Sequence, residues 1–418
     1  MERVLELIRE HDLRDALVRL WVLASRHNGD DRVLNAWERN KDEIRYQLLA
    51  TQFRKLLRQG KPIGPIHAEQ EPLALITALD GFLAEEQRIS RKVGEIPYQV
   101  DGREYWLVRH PLARRSSASM ALQANNSSAW FGSHSVIPRL LGDPEAPISI
   151  QIAEPDSVTA QALEKILVQD SLRIFVAHFI DGVRLDMQTN AAGKCFALGL
   201  SAPDVRSSSI LATLDRALTV GAHVVVFPEL TVTQEHRKLI ARWRIGTRGS
   251  TNAPILILSG SFHEEVAGRR VNRAELTGLS GRLMTHEKIR PFGAADGIAE
   301  DIASGGTLTL LSTPIGLVAI PICKDFNDVA GAPDWTRIQP DWCLVPSMGD
   351  ERNVRAHVRQ AEKLWQVVCR AVSAVANQEF DGQPAQSGFG RTETLVEIAA
   401  GGYYFDAPLN SKAEPVST

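Results

Sequence analysis

The sequence predicts an α/β protein preceded by a mainly α-helical part. Three observations predict it. Helical apolar spacing dominates the first ninety residues. Short apolar runs of strand length alternate with amphipathic helices from Leu172 onward. Three ionisable residues stand at or just after such runs.

In the N-terminal part, Leu13, Leu17, Leu20 and Ala24 recur at helical spacing. Ile44, Leu48, Leu49, Phe53, Leu56 and Leu57 do so before the stop at Gly60-Lys61-Pro62, and another apolar run follows Pro72. Such stripes are core faces between helices. Residues 98–108 read as strand–turn–strand about Asp101-Gly102. The stretch 114–133, rich in Ser, Ala and Asn, reads as a loop, and 136–170 as a linker leading into a short helix. Domains are therefore expected over 1–170, mainly helical and partner-binding or regulatory, and over 171–418.

In the second part, LRIFVAHF is a strand. Ile210, Leu211, Leu214, Ala217 and Leu218 mark a helix ending at Gly221. AHVVVF is a buried strand stopped by Pro228, QEHRKLIARWRIG a helix, and PILILSGSF a strand. TLTLLS and IGLVAIPI form a hairpin about Thr313-Pro314. WCLVPS is a strand, 354–369 a helix and AVSAVANQ a strand. Buried strands interleaved with helices imply sheets covered by helices, with reactive groups at the carboxyl ends of strands.

Composition narrows the function. With 44% hydrophobic and 23% charged residues the chain can fill a core, which excludes a disordered or fibrous protein. A net charge of −3 gives nucleic acid no support as a partner. The four cysteines, Cys195, Cys323, Cys343 and Cys369, form no Cys-x-x-Cys pair or zinc-spaced cluster. No apolar run reaches membrane-spanning length, and the N-terminus is charged from Glu2. The expectation is a cytoplasmic protein with free thiols. No phosphate-binding Gly loop, Gly-x-Ser-x-Gly elbow or zincin His pair is present.

The three ionisable residues are Glu229 after VVVFP, Lys288 in THEKIRPF after a strand around 279–284, and Cys323 in AIPICKDF. Singly, each has an ordinary explanation: a turn acid, a surface lysine, a small core thiol. In this order and at strand ends they resemble the nitrilase, or carbon–nitrogen hydrolase, superfamily, whose "FPE", lysine and "IC-x-D" motifs match Phe227-Pro228-Glu229, Lys288 and Ile322-Cys323-Lys324-Asp325. The resemblance covers about residues 172–405. It implies a four-layer α-β-β-α sandwich, no metal or organic cofactor, a homo-oligomer, and hydrolysis of a small amide in preference to a nitrile.

By that resemblance Cys323 is the nucleophile, Glu229 the general base and acid, and Lys288 the charge that meets the oxyanion. Glu300 is the candidate for the family's second glutamate, and the backbone N–H of Lys324 a further oxyanion donor. The chemistry suits these residue types. A free thiol, with a pKa near 8.5, is mostly protonated at neutral pH and needs a base beside it. Lys324 and Arg290 stand where the family often carries an aromatic residue and a histidine, and they point to substrate binding with a preference for anionic amides. Two other readings compete. One is a catalytically inactive scaffold whose N-terminal helices bind a protein partner. The other is a papain-like protease using His178, His263 or His286, which no local signature around Cys323 supports.

Overall fold

The structure is a computed structural model. It describes residues 1–26, 44–64, 72–86, 97–110, 133–169, 171–179, 183–293, 299–327, 329–365, 371–378, 386–388, 395–397 and 402–409. Cys369 and nearly all of the Ser/Ala/Asn-rich stretch lie outside these residues. The chain forms two compact units. The first holds Met1–Leu140 with Trp335–Gln339; the second begins at Leu141.

In the first unit, helix α1 (Glu2–Arg9) precedes α2 (Leu13–Arg26), α3 (Ile44–Arg58) and α4 (Pro72–Glu86), and these three form where the apolar spacing places them. Leu7, Leu17, Leu20, Phe53, Leu75 and Leu79 share one core with Val100, Leu107 and Val136 of a three-stranded antiparallel sheet. Its strands are β1 (Tyr98–Val100), β2 (Arg103–Arg109) and β3 (His134–Pro138). The β1–β2 turn puts Asp101 at φ 49° and Gly102 at φ 74°, the paired left-handed residues of a type I′ hairpin. Asp80 of α4 holds β3: its carboxylate meets His134 Nδ1 at 2.8 Å and accepts the Ser133 N–H at 3.0 Å.

The reading of 136–170 as a linker is corrected. Strands β4 (Leu140–Asp143) and β5 (Ala146–Ala153) precede helix α5 (Ser157–Ile166). The Ile148-x-Ile150-x-Ile152 alternation is a strand period, and β5 pairs in parallel with β14 (Thr307–Thr313). That pairing also moves the boundary expected at 170 back to 140, because β5 is a sheet strand of the second unit.

The second unit holds two six-stranded sheets. In the first, β6 (Ser171–Val176), β9 (Val224–Val226) and β10 (Leu256–Val266) run parallel. Antiparallel β11 (Arg269–Thr277) and β12 (Arg282–Glu287) extend it on one side and β20 (Tyr403–Pro408) on the other. Helices α6 (Pro203–Thr219) and α7 (Gln234–Gly246) pack Ile210, Leu214, Ala217 and Ile240 against Phe175, Val225 and Ile257 of this sheet. In the second sheet, β14 turns back into β15 (Gly316–Ala319), which runs parallel to β16 (Trp342–Met348) and β17 (Val372–Gln378). Helix α8 (Glu351–Lys363) follows β16, its Asp350 N-cap accepting the Asn353 N–H.

The sequence missed β7 (Leu185–Thr189) and β8 (Lys194–Leu200), a hairpin whose residues are mostly exposed or half-buried. It also missed β11, whose charged residues obscure its alternation. The strand expected around 279–284 instead runs Arg282–Glu287 and delivers Lys288 directly from its end.

Candidate active site

Each predicted residue leaves the end of a strand. Glu229 is the third residue after β9 and bridges Ser261 of β10. The chain turns sharply there, with Leu230 at φ 53° and its N–H bound to Ser261 O at 2.7 Å. Gly260 permits the approach: a Cβ there would lie 2.1 Å from Pro228 O, at a left-handed φ of 59°. Cys323 follows β15 and opens a 3₁₀ turn, Cys323–Asp325, with its own φ at 47°. A non-glycine residue in this region is held there by its surroundings, and such outliers gather at functional sites.

The side chains meet in a buried cluster. Glu229, Lys288 and Cys323 are each at most 2% exposed. Lys288 Nζ donates to Glu229 Oε1 and to Glu300 Oε2, both at 2.8 Å. Asn272 of β11 donates through Nδ2 to Glu229 Oε1 at 2.8 Å and to Glu300 Oε1 at 3.1 Å. The Met348 N–H donates to Glu229 Oε2 at 3.1 Å. The Cys323 sulfur lies 3.8 Å from the carbonyl of the same Met348. Asn353, in the first turn of α8, donates from Nδ2 to that sulfur at 3.3 Å and to Ser347 Oγ at 3.2 Å.

The two carboxylates are set apart by their surroundings. Burial pushes Glu229 up to about 8, against the pull of Lys288. Burial acts on Glu300 in the same sense but is outweighed by Lys288 and His263, which hold it well below the usual carboxylate range. His263 Nδ1 accepts the Ala197 N–H at 2.8 Å, which leaves its proton on Nε2, 3.1 Å from Glu300 Oε1. The Phe292 N–H adds another donor to Glu300. Glu229 and Glu300 together raise Lys288 well above its ordinary value despite its burial. The ammonium is thus neutralised by an ionised Glu300, and Glu229 is the carboxyl free to exchange a proton near neutral pH. Paired acids with separated pKa values are the usual mark of divided acid–base roles.

Asp325 fixes the frame. Fully buried, it accepts from the backbone N–H groups of Ile289 and Arg290 and from His286 Nε2 at 3.0 Å. It therefore ties the turn bearing Cys323 to the segment bearing Lys288, a physical reason for an acid two residues after the thiol. His286 serves this frame, and His263 serves Glu300.

Lys324 donates Nζ to Gly293 O at 2.9 Å and lies over the Phe292 ring at 4.7 Å. Arg290 is exposed, and its backbone N–H rather than its guanidinium is bound to the frame. Lys288, Glu229 and Glu300 are joined directly, and the Cys323 sulfur neighbours them through the Met348 peptide. Asn272, His263 and Asn353 were missed. Asn272 and His263 face each other across the β10–β11 register, which no local motif reveals.

The chain is similar in structure to amidases of the nitrilase superfamily. An amidase from Nesterenkonia sp. matches at 19% identity and a TM-score of 0.41, over 58% of this chain and 92% of that one. A cysteine-to-alanine mutant of Nesterenkonia AN1 amidase, from the nitrilase superfamily, matches at 19% and 0.41 over 57% and 92%. A glutamate-to-glutamine mutant of that amidase, with the acetamide moiety of fluoroacetamide added covalently at its active-site cysteine, matches at 20% and 0.40 over 58% and 92%. No protein-family model and no curated protein sequence matches the chain.

Among the described residues no helix is long and apolar enough to cross a membrane.

Asn353 gives the first test. Its Nδ2 donates to the Cys323 sulfur and holds it in position for attack. Asn353→Ala is expected to slow alkylation of Cys323 by iodoacetamide at pH 7 about tenfold, read by peptide mass. An unchanged rate would show that the amide does not act on the sulfur.

Proposed function

We propose that the second unit is a nitrilase-type hydrolase, with the four-layer sandwich of that family. It cleaves a non-peptide carbon–nitrogen bond, an amide rather than a nitrile, through a thioester on Cys323. One observation carries this reading: a buried ammonium is clamped at 2.8 Å to each of two carboxylates, and the Met348 peptide joins Glu229 to the cysteine sulfur.

Glu229 takes the thiol proton as the sulfur attacks the amide carbon, and the carbonyl electron pair moves onto oxygen. Lys288 gives two N–H groups to Glu229 and Glu300, and its third meets this oxyanion. The Lys324 N–H adds a second donor, since the first N–H groups of a helical turn have no partner within it. The intermediate collapses, the C–N bond breaks, and Glu229 returns its proton to the departing amine or ammonia. Water then attacks the thioester with Glu229 as base, releasing a carboxylic acid and restoring the thiol. Glu300, ionised throughout, keeps Lys288 charged and positioned. Lys324, half-buried, and Arg290, exposed, are the cations that would favour a carboxylated amide. Equal rates on matched carboxylated and neutral amides would remove that preference.

The pH profile tests the assignment of Glu229. A general base must be deprotonated, and this carboxyl is raised, so kcat/KM is expected to climb with pH through about 8. Glu229→Gln should lower kcat/KM about 10²–10⁴-fold and flatten that limb. A limb that persists in the variant would assign the base elsewhere.

A further inference from the structure

The hydrogen bonding that reaches Cys323 does not end at Asn353. Asn353 Nδ2 stands 3.3 Å from the sulfur and 3.2 Å from Ser347 Oγ, and Ser347 Oγ lies 2.9 Å from His357 Nε2. The contacts pass from the nucleophile turn to α8, across to Ser347 of β16, and back to His357 one turn further along α8. Ser347 and His357 have no exposed surface.

The seat is built from both sides. The His357 ring lies 5.9 Å from that of Phe326, whose N–H donates to Cys323 O at 3.0 Å. On the other side, a Cβ at Gly349 would lie 2.7 Å from Asn353 Nδ2, so this glycine leaves room for the amide. His357 Nδ1 makes no hydrogen bond among the described residues, and Ser347 Oγ is the one polar contact of the ring there.

The direction of these bonds can be worked out. A hydroxyl has one proton to give and lone pairs to receive with. Ser347 Oγ accepts an Asn353 N–H, so its own proton goes to His357 Nε2. Burial lowers His357 to about 4, and a ring that is neutral near pH 7 accepts at Nε2 when its proton sits on Nδ1. Without that acceptor the hydroxyl would turn its proton to Asn353. The amide would then present its oxygen to Ser347 and to the sulfur.

We propose that His357 is a positioning residue for Cys323: through the Ser347 hydroxyl it turns the Asn353 amide so that Nδ2, and not the amide oxygen, faces the sulfur. Its catalytic meaning rests on the hydrolytic reading, but the orientation itself is read without substrate.

The test is the rate of Cys323 alkylation by iodoacetamide at pH 7 in the full-length protein, read by peptide mass, with Cys195 and Cys343 followed in the same digest. His357→Phe fills the space but accepts no proton, and should slow Cys323 about tenfold while leaving the other two unchanged. His357→Gln offers an amide oxygen in place of Nε2 and should stay within about threefold of the parent. In an Asn353→Ala background His357→Phe should change the rate by less than about twofold, because the route to the sulfur is already cut. Should His357→Phe fail to fold, Ser347→Ala takes its place, with the same loss alone and the same silence in the Asn353→Ala background. A parent-like rate in His357→Phe, a His357→Gln as slow as His357→Phe, or losses that multiply in the double variant would overturn the proposal. A protein that meets these expectations but cleaves no amide would overturn the hydrolytic reading alone.

Discussion

Cys323→Ala is expected to abolish amide hydrolysis, lowering kcat by about 10⁴-fold or more, while leaving the fold within about 1 kcal/mol of the parent. The asymmetry follows from the site. Cys323 is a small buried side chain whose removal opens little space, but no other described thiol lies in the cluster to replace it. Cys195 stands in β8, with Thr189 Oγ1 and Gly193 O as its neighbours, and Cys343 is a buried residue of β16. Denaturant melts beside a turnover assay separate the two effects. A variant with a tenth of the parent's activity would mean that Cys323 is not the nucleophile.

Lys288→Met should have the largest effect on stability. The ammonium is 1% exposed and bonded to two buried carboxylates. Removing it leaves Glu229 and Glu300 without a countercharge and sharing the Asn272 amide. Breaking a buried pair in this way costs about 3–5 kcal/mol. The loss depends on pH in a definite direction. Burial already raises Glu229 against the pull of Lys288, so without Lys288 the folded protein holds at Glu229 a proton that the unfolded chain has released. Stability of the variant should therefore fall as pH rises from about 5 to 8. Hydrolysis should be lost with the oxyanion donor, by about 10²–10³-fold from that donor alone. A variant as stable as the parent, with a flat pH response, would show that the ammonium does not neutralise this cluster.

The parts of this site that the sequence reveals are those written locally. Buried parallel strands are continuous apolar runs, so VVVFPEL and GLVAIPIC announce both a strand and the residue at its end. Lys288 and Glu300 were reached by their order relative to these motifs. The partners that set the electrostatics are written across the sheet instead. Asn272 reaches the carboxylates because β11 pairs antiparallel with β10, and His263 because β8 supplies the Ala197 N–H that fixes its tautomer. Neither residue has a neighbour in sequence that marks it. Asn353 was hidden for another reason: an amide in the first turn of a helix reads as a capping or surface residue until β15 and β16 bring the thiol to it. The Ile148–Ile152 alternation was legible as a strand but lay among prolines and acids that favoured a linker.

The central claim is most directly tested by intact mass of the protein and of Cys323→Ala after exposure to a library of small amides, quenched in acid. The expected result is a mass gain equal to the substrate less its amine, mapping to the Cys323 peptide and absent from the variant. Hydrolysis with no such adduct that continues in Cys323→Ala, or adducts spread equally over Cys195, Cys323 and Cys343, would contradict it.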